Sequence, residues 1–414
     1  MHIKYKTEVK VKKIKLGILA ANIVFASTCV NALEAYNGKI MAMSGAGLAS
    51  GDFSYGGLLN PALVANFTDD DDFDINLNVG VLASDEDELI DNADDLVDII
   101  DDIDGLDPSL ITGELTDLRD TLLEIDDATA RLNGGASMQL SFPNDFVATS
   151  VFITTNAAVG AATIVDPDDI VLLDALIAGT ITDPIDETTL DTSVLATGVL
   201  TSEVGITFAK KFTIAGQEVA FGISPKHQTV KTIIYLARIA DFDSDDFDAD
   251  EFTVEDSNLN VDLGVQTSFS NWKFGATLKN AIENEYDMID ISLPGDLERQ
   301  AEINARVVTI SPLLTLGTAY RNDWFTVALD VDANGIEEPV TQKDVQIARA
   351  GIEFDAFQWA QLRFGYRHDI EDTFEDTISA GIGLSPFDLF NLDIAAMKGN
   401  NDTIGAAIQL GVQF

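Results

Sequence analysis

The last thirteen residues, "DTIGAAIQLGVQF", limit the possible folds more than any other stretch. Ile404, Ala406, Ile408, Leu410, Val412 and Phe414 fall on one side of an extended chain, and Gly405, Ala407, Gln409, Gly411 and Gln413 on the other. A period of two is a strand. An apolar face opposite one of small and polar residues is the division that a strand between lipid and a watery lumen requires. The pattern returns in "FTVALDV" from Phe325, "TISAGIGL" from Thr377 and "FNLDIAA" from Phe390. Fourteen such segments can be counted, at 73–83, 134–143, 146–162, 193–211, 216–240, 254–269, 272–290, 299–319, 323–333, 344–355, 358–370, 375–385, 388–397 and 402–414. Short turns at Pro143-Asn144, 213–216, Ser270-Asn271, 321–323 and 385–388 follow even-numbered strands, while the inserts at 84–133, 163–192 and 241–253 lie on the other side. A soluble sandwich has no reason to sort its loops this way, whereas an outer-membrane barrel of even strand number does. The expectation is an all-β chain, an antiparallel transmembrane barrel of about fourteen strands over residues 68–414. Phe414, the closing aromatic in register, is expected to engage the barrel-assembly machinery, and the apolar faces to meet outer-membrane lipid and lipopolysaccharide of a Gram-negative bacterium.

Residues 1–32 differ from the rest in charge. Six lysines between Lys4 and Lys15 precede an apolar run from Leu16 to Ser27, and Val30-Asn31-Ala32 forms a small-residue cleavage site. This is the pattern of a cleaved secretory signal peptide, its apolar run being shorter than the roughly 20 residues of a spanning helix. Removing it takes away six of 24 basic and one of 70 acidic residues, leaving 18 and 69, a net charge of −51. So acidic a surface repels phosphates, and nucleic acid is not an expected partner. The single cysteine, Cys29, lies before the cut, so disulfides and thiol chemistry are not expected in the mature chain.

Between the signal and the first strand, "SGAGLASGDFSYGGLLNPALVA" carries Gly45, Gly47, Gly51, Gly56 and Gly57. A phosphate loop does not fit: the spacing is G-x-G-x-x-x-G, no G-K-[ST] follows, and no buried strand precedes it. The glycines allow either a plug folded against barrel walls or a flexible linker, and Pro61 holds Asn60 extended in both cases.

The insert near 85–132 has a different period. Leu89, Ala93, Leu96, Ile100 and Ile103, then Ile111, Leu115, Leu118, Leu122 and Ile125, draw an apolar stripe on each of two helices. Asp107 and Pro108 suit a helix start between them. The helices are expected to pack together and cover the barrel mouth, with capture of a protein partner by this hairpin as the alternative. The acidic runs at 68–74 and 241–252 lack the glycine and glutamate of a calcium loop, and the nearest partial match, Asp330, Asp332, Asn334 and Gly335, ends in Thr341. The acidic runs are expected to be solvated loop charge, with loose divalent-cation binding near lipopolysaccharide as the alternative, and no built metal site or cofactor is expected. Alternation turns Asp330, Arg349, Glu353, Arg363, Arg367 and Asp393 inward, as lumen-lining residues that pair with one another or orient a substrate. The mature chain holds only His227 and His368, neither in a catalytic motif, so no enzyme is expected.

"SGAGLAS" leading to "LNPAL" resembles the start of the long-chain fatty-acid transporter (FadL) superfamily of outer-membrane barrels. "PLLTLGTAYRNDWFTVALDVD", "WAQLRFGYRHDIEDTFEDTISAGIGLS" and "GAAIQLGVQF" resemble more narrowly its TraF-like branch, barrels labelled conjugal transfer proteins. The resemblance implies a fourteen-stranded barrel, a hatch at about 33–67 folded into the lumen with Asn60, Pro61 and Ala62 as its turn, and passive diffusion of a hydrophobic small molecule through a side opening. Its other implication is a conjugal-transfer or envelope interaction protein without transport. The Cys-x-x-Cys of a thioredoxin-like periplasmic protein is absent.

Overall fold

A computed structural model describes residues 36–413, apart from 69–70, 86–87, 104–105, 127, 185–188, 240, 243–246, 248, 294–295, 356–358, 387–388 and 401–402. The export segment at 1–32, Phe414 and parts of both acidic runs lie outside the described residues.

Fourteen antiparallel strands close one barrel in sequence order. They are β1 (Asp74–Ser84), β2 (Thr129–Phe142), β3 (Ala148–Ile164), β4 (Ser193–Ile214), β5 (Gln217–Arg238), β6 (Thr253–Phe269), β7 (Trp272–Lys279), β8 (Leu313–Arg321), β9 (Phe325–Asp332), β10 (Ile347–Asp355), β11 (Ala360–Asp369), β12 (Thr377–Leu384), β13 (Phe390–Gly399) and β14 (Ile404–Gln413). β14 returns to β1, with Asp74 opposite Gln413 and Ala83 opposite Ile404, so the sheet has no free edge there. The barrel is inside out relative to a soluble protein. Val79 and Ile378 are 55% and 63% exposed, whereas Asn78 and Thr377 beside them are 5% and 1% exposed. Only a lipid environment makes that arrangement favourable, because lipid removes the outward apolar surface from water.

Strand lengths divide the wall. β7 to β14 have eight to ten residues. At about 3.3 Å per residue and a tilt of about 40°, ten residues stand about 25 Å tall, the height of the apolar band. β4 and β5 have 22 residues each and β3 and β6 have 17, so this side rises past the band as a collar on the long-loop side. The short-turn end carries an aromatic girdle: Trp272 meets Tyr320 at 5.3 Å, Trp324 meets Phe325 at 4.7 Å, and Phe212 meets Phe221 at 6.0 Å. Amphipathic rings favour that membrane interface.

Inside the wall lie two single helical turns, α1 (Gly38–Met41) and α2 (Gly56–Leu59), and a 3-10 turn at Pro61–Ala65. The insert after β1 forms α3 (Leu89–Ile103) and α4 (Thr112–Ile125), and that after β3 forms α5 (Pro167–Ile177), started by Asp166 accepting from the Asp168 amide at 2.8 Å. Asp107 caps a separate 3-10 turn at Pro108–Leu110 rather than α4 itself. Leu96, Ile100, Leu115, Leu118 and Leu122 pack with Leu173 and Leu176 into one apolar core, which rests on Ala130 and Ala161. Those alanines share the outward parity of Met138 and Ile153. The helical insert therefore leans on the outside of the collar, and does not cover the mouth as its position in sequence had led us to expect. Above the lipid band the outward wall meets water, and an apolar helix stripe finds its cover there. The segment after β5 does the same, packing Phe242, Phe247 and Phe252 around Tyr235 and Ile233.

The mouth is crossed by another segment. The expected strands at 272–290 and 299–319 are interrupted: β7 stops at Lys279, β8 starts at Leu313, and between them lie a small ribbon, Asn284–Tyr286 with Val308–Ile310, and α6 (Leu297–Asn304). Asn280 turns the chain with φ 50°, and the Asn260 side chain takes both polar groups of Ile282, at 3.1 Å and 2.9 Å. The chain thereby leaves the wall. Tyr286, Val308 and Ile310 bury against Val199 and Val230, and Ile303 against Leu195 and Ile234, all inward positions of β4 and β5. Residues 280–293 and 296–312 thus form a lid within the collar. From the loop at 333–346, Val340 reaches Gly160 on the inner face of β3.

Candidate functional site

The hatch, residues 36–66, is tied to the wall around the ring. Asn37 caps α1, accepting from the Ile40 amide at 3.0 Å, and donates to Asn78 of β1 at 3.0 Å. Gln409 of β14 accepts from the Lys39 amide at 3.2 Å, and Ser44 bonds Ser379 of β12 at 2.7 Å. Asp330 of β9 accepts from the amides of Gly47 and Leu48 at 2.7 Å and 2.9 Å. Ser141 of β2 donates to the Phe53 carbonyl at 3.0 Å. Asn60 donates to the carbonyls of Leu48 and Val265 at 3.2 Å and 3.3 Å and accepts from the Ala62 amide at 3.1 Å. A peptide segment buried in a barrel needs such partners, since its own polar groups reach neither a ladder nor bulk water.

Wall glycines make the room. Gly222 and Gly264 are directly opposite on β5 and β6, and a Cβ on either would strike the Asn60-Pro61-Ala62 turn. The opposed pair Gly351 and Gly365 receives Met43, Gly275 and Gly317 receive Leu48, and Gly80 and Gly135 receive Tyr36. Four cross-strand glycine pairs therefore act as sockets for four parts of the hatch. These residues escaped the sequence reading because a socket appears only when register sets two glycines side by side.

Of the expected hatch glycines, Gly45 has φ 93°, where a side chain would be strained. Gly47 packs on Ile40, Gly51 and Gly56 on Leu63, and Gly57 on Ser150 and Thr207 of the wall.

The expected lumen residues are all inward, and the structure divides them. Asp330 serves the hatch. Arg349 pairs with Asp332 at 2.9 Å, and Arg363 pairs with Glu353 at 2.6 Å and with Asp393. Arg367 is buried nearer the loops, 5.9 Å from the centre of the Phe374 ring, which Arg131 approaches at 4.6 Å. Asp332 also takes the Ile347 amide at 3.1 Å, so the carboxylates of the partial calcium pattern hold the hatch and the wall. In the hatch, Lys39 meets Asp52 at 3.3 Å. Burial opposes charge on Asp52, but Lys39 and the Ser54 hydroxyl outweigh it and hold the carboxyl below the usual carboxylate range.

A second cluster, missed from sequence, faces the hatch from the collar side. Lys226 of β5 bridges Glu203 and Asp262, each at 3.0 Å. Its signal was an inward-parity lysine between strands that otherwise carry small polar residues inside. Above it the lid contributes Ile310, and below it the hatch contributes Ile40, Leu58 and Leu59, enclosing a chamber of about 70 Å³. One water takes about 10–15 Å³ on this measure, so the space is that of about five waters or one substituted ring. The chamber is greasy on the hatch side and polar on the wall side.

The wall beside the chamber is laced nearly throughout. β3 pairs continuously with β2 and β4, and the β4–β5 register passes from Gly205–Lys226 to Phe208–Ile223, with Pro225, which has no N–H, in the interval. Both histidines face outward, His227 exposed on β5 and His368 bonded through Nδ1 to Asp376 at 2.7 Å. Tyr366 donates to the same carboxylate at 2.6 Å.

A family described as "F plasmid transfer operon, TraF, protein" matches residues 57–332. No curated protein matches the chain. Among solved structures, the chain is similar to a TodX mutant described as a monoaromatic hydrocarbon channel, at 12% identity over 93% of this chain and 100% of that one, with a TM-score of 0.54. It is similar to the Ralstonia pickettii toluene transporter TbuX at 11% identity over 92% and 99%, TM-score 0.53, and to the P. putida toluene transporter TodX at 12% over 92% and 99%, TM-score 0.51. At these identities the likeness is one of fold alone.

Proposed function

The chain belongs to the family of the F plasmid transfer operon TraF protein, and from that premise we propose that it is a FadL-type barrel of the outer membrane that passes a small, mainly apolar molecule by passive diffusion. The observation that supports this most is the ring-sized chamber between hatch and lid, with Ile40, Leu58 and Leu59 on its hatch side and Ile310 on its lid side. A general porin would keep a continuous watery lumen; here the hatch fills it. Passage then requires the lid to open on the collar side and the hatch to yield on the other, driven only by the solute's gradient. Cleavage of residues 1–32, insertion through the assembly machinery at Phe414 and contact with lipopolysaccharide belong to the same proposal.

Proteoliposomes of the purified protein test it. They should admit a hydrophobic fluorescent probe faster than protein-free vesicles while showing no steady ion current; porin-like current without a gain in probe entry would reject the reading.

The ion pairs of Arg349 and Arg363 favour a second reading, an envelope or conjugation protein whose lumen is locked and whose α3–α5 cluster meets a partner. Deleting residues 88–126 would then spare barrel assembly and lower plasmid transfer from donor cells. Under the transport reading the deletion leaves probe entry unchanged.

A further inference from the structure

Three polar groups at the chamber have no hydrogen-bond partner among the described residues. Tyr55 of the hatch and Thr201 of β4 bury hydroxyl oxygens that bond nothing, and the ammonium of Lys279, at the end of β7, makes no hydrogen bond or ion pair among them. All three can donate. The two carboxylates nearby already hold Lys226. Asp262 takes Lys226 and the Asn280 amide, the latter at 2.8 Å, and Glu203 takes Lys226 and the Gln228 amide group, the latter at 2.6 Å. Two ammonium groups, Lys226 and Lys279, face two carboxylates, Glu203 and Asp262, so the polar wall is electrically balanced yet has spare donors.

Buried polar groups without partners are uncommon, and Tyr55, Thr201 and Lys279 all line this one chamber, so a molecule held there is best matched if it supplies an acceptor. A hydrocarbon would leave them unmet. An anion would add a third negative charge to a balanced cluster out of water, which is costly. We propose that the chamber selects a neutral molecule of about one ring that carries an acceptor oxygen, a ketone, ester or ether, set toward Lys279 with its apolar part against Ile40, Leu58 and Leu59. The proposal rests on the chamber being where the transported molecule is held. It narrows that molecule from apolar in general to apolar with one acceptor.

The test compares three probes of similar size on the intact protein in lipid nanodiscs, with empty nanodiscs as the blank: acetophenone, ethylbenzene and benzoate. A site built to hydrogen-bond an oxygen disfavours the analogue without it, so acetophenone should bind about tenfold more tightly than ethylbenzene and benzoate. Lys279→Met should bring acetophenone to within about twofold of ethylbenzene while leaving ethylbenzene unchanged. Thr201→Val should move acetophenone in the same direction by less, and serves if Lys279→Met fails to form a heat-modifiable barrel. Equal binding of acetophenone and ethylbenzene to the wild type, or tightest binding of benzoate, would overturn the inference and leave the transport reading intact. If none of the three binds, the transport reading itself fails.

Discussion

Two segments close the lumen, and they are held by different physics. The hatch at 36–66 is fixed by directional bonds, with Asp330, Asn60, Asn37 and Gln409 each pairing a specific group, and by glycine sockets that admit only the backbone lying there. The lid at 280–312 is held by apolar contact of Tyr286, Val308, Ile310 and Ile303 with the collar and by fewer directional bonds, among them Asn260 to Ile282 and Thr232 to the Asp287 carbonyl. Directional bonds and keyed shapes define one position, whereas apolar contact is non-directional and tolerates sliding. The difference makes the hatch the firmer seat of the chamber and the lid the side that should open first.

Removing the hatch should produce the largest change. A chain lacking residues 36–66 should show steady current in planar bilayers at least about tenfold above the intact protein, because fourteen strands then surround an open polar lumen; unchanged current would mean that the lid alone seals the barrel.

Filling a socket should come next. Gly222→Val or Gly264→Leu sets side-chain atoms where the Asn60-Pro61-Ala62 turn lies, and should destabilise the seated hatch by about 1–3 kcal/mol, read as faster proteolysis within 36–66. Gly113→Ala, in α4 with nothing within 4 Å, is the control and should leave the hatch untouched. Equal effects of both changes would discard the socket account.

The lid should respond less specifically. Ile303→Ala removes a buried side chain at the collar and should cost about 2–4 kcal/mol locally. Probe entry into proteoliposomes should rise, and ion current should stay low because the hatch remains; a jump in current would make the lid the true seal.

The smallest effect concerns pH. Asp52 is held below the usual carboxylate range, so its contribution is present above the ordinary carboxylate pKa and is lost as pH falls through the lower folded value. Below about pH 4 amide exchange in the hatch should rise, and Asp52→Asn should remove that dependence. A hatch whose exchange rises equally in the variant would assign the transition to other carboxylates.

Much of the barrel could be read from sequence because a period of two survives wherever lipid and lumen divide a strand. The twelve strands outside 272–319 fall close to their expected positions, and Arg349, Glu353, Arg363, Arg367, Asp330 and Asp393 do turn inward. Reading failed at 280–312, where residues such as Tyr286, Val308 and Ile310 carry strand-like character because they pack on the collar's inner face, not because they join the wall. It failed again for the glycine sockets and for Lys226, Glu203 and Asp262, whose meaning lies in register across three strands. Local periodicity reports which environment each face meets. It does not report which distant residue lies opposite.

Hydrogen exchange of the intact protein at neutral pH tests the central claim most directly. The amides of Gly47 and Leu48, both donated to Asp330, should exchange more slowly than those of α6 and the Val308–Ile310 ribbon, because the lid should open at lower cost than the hatch. Lid amides that outlast those of Gly47 and Leu48 would contradict the account and make the hatch the moving part.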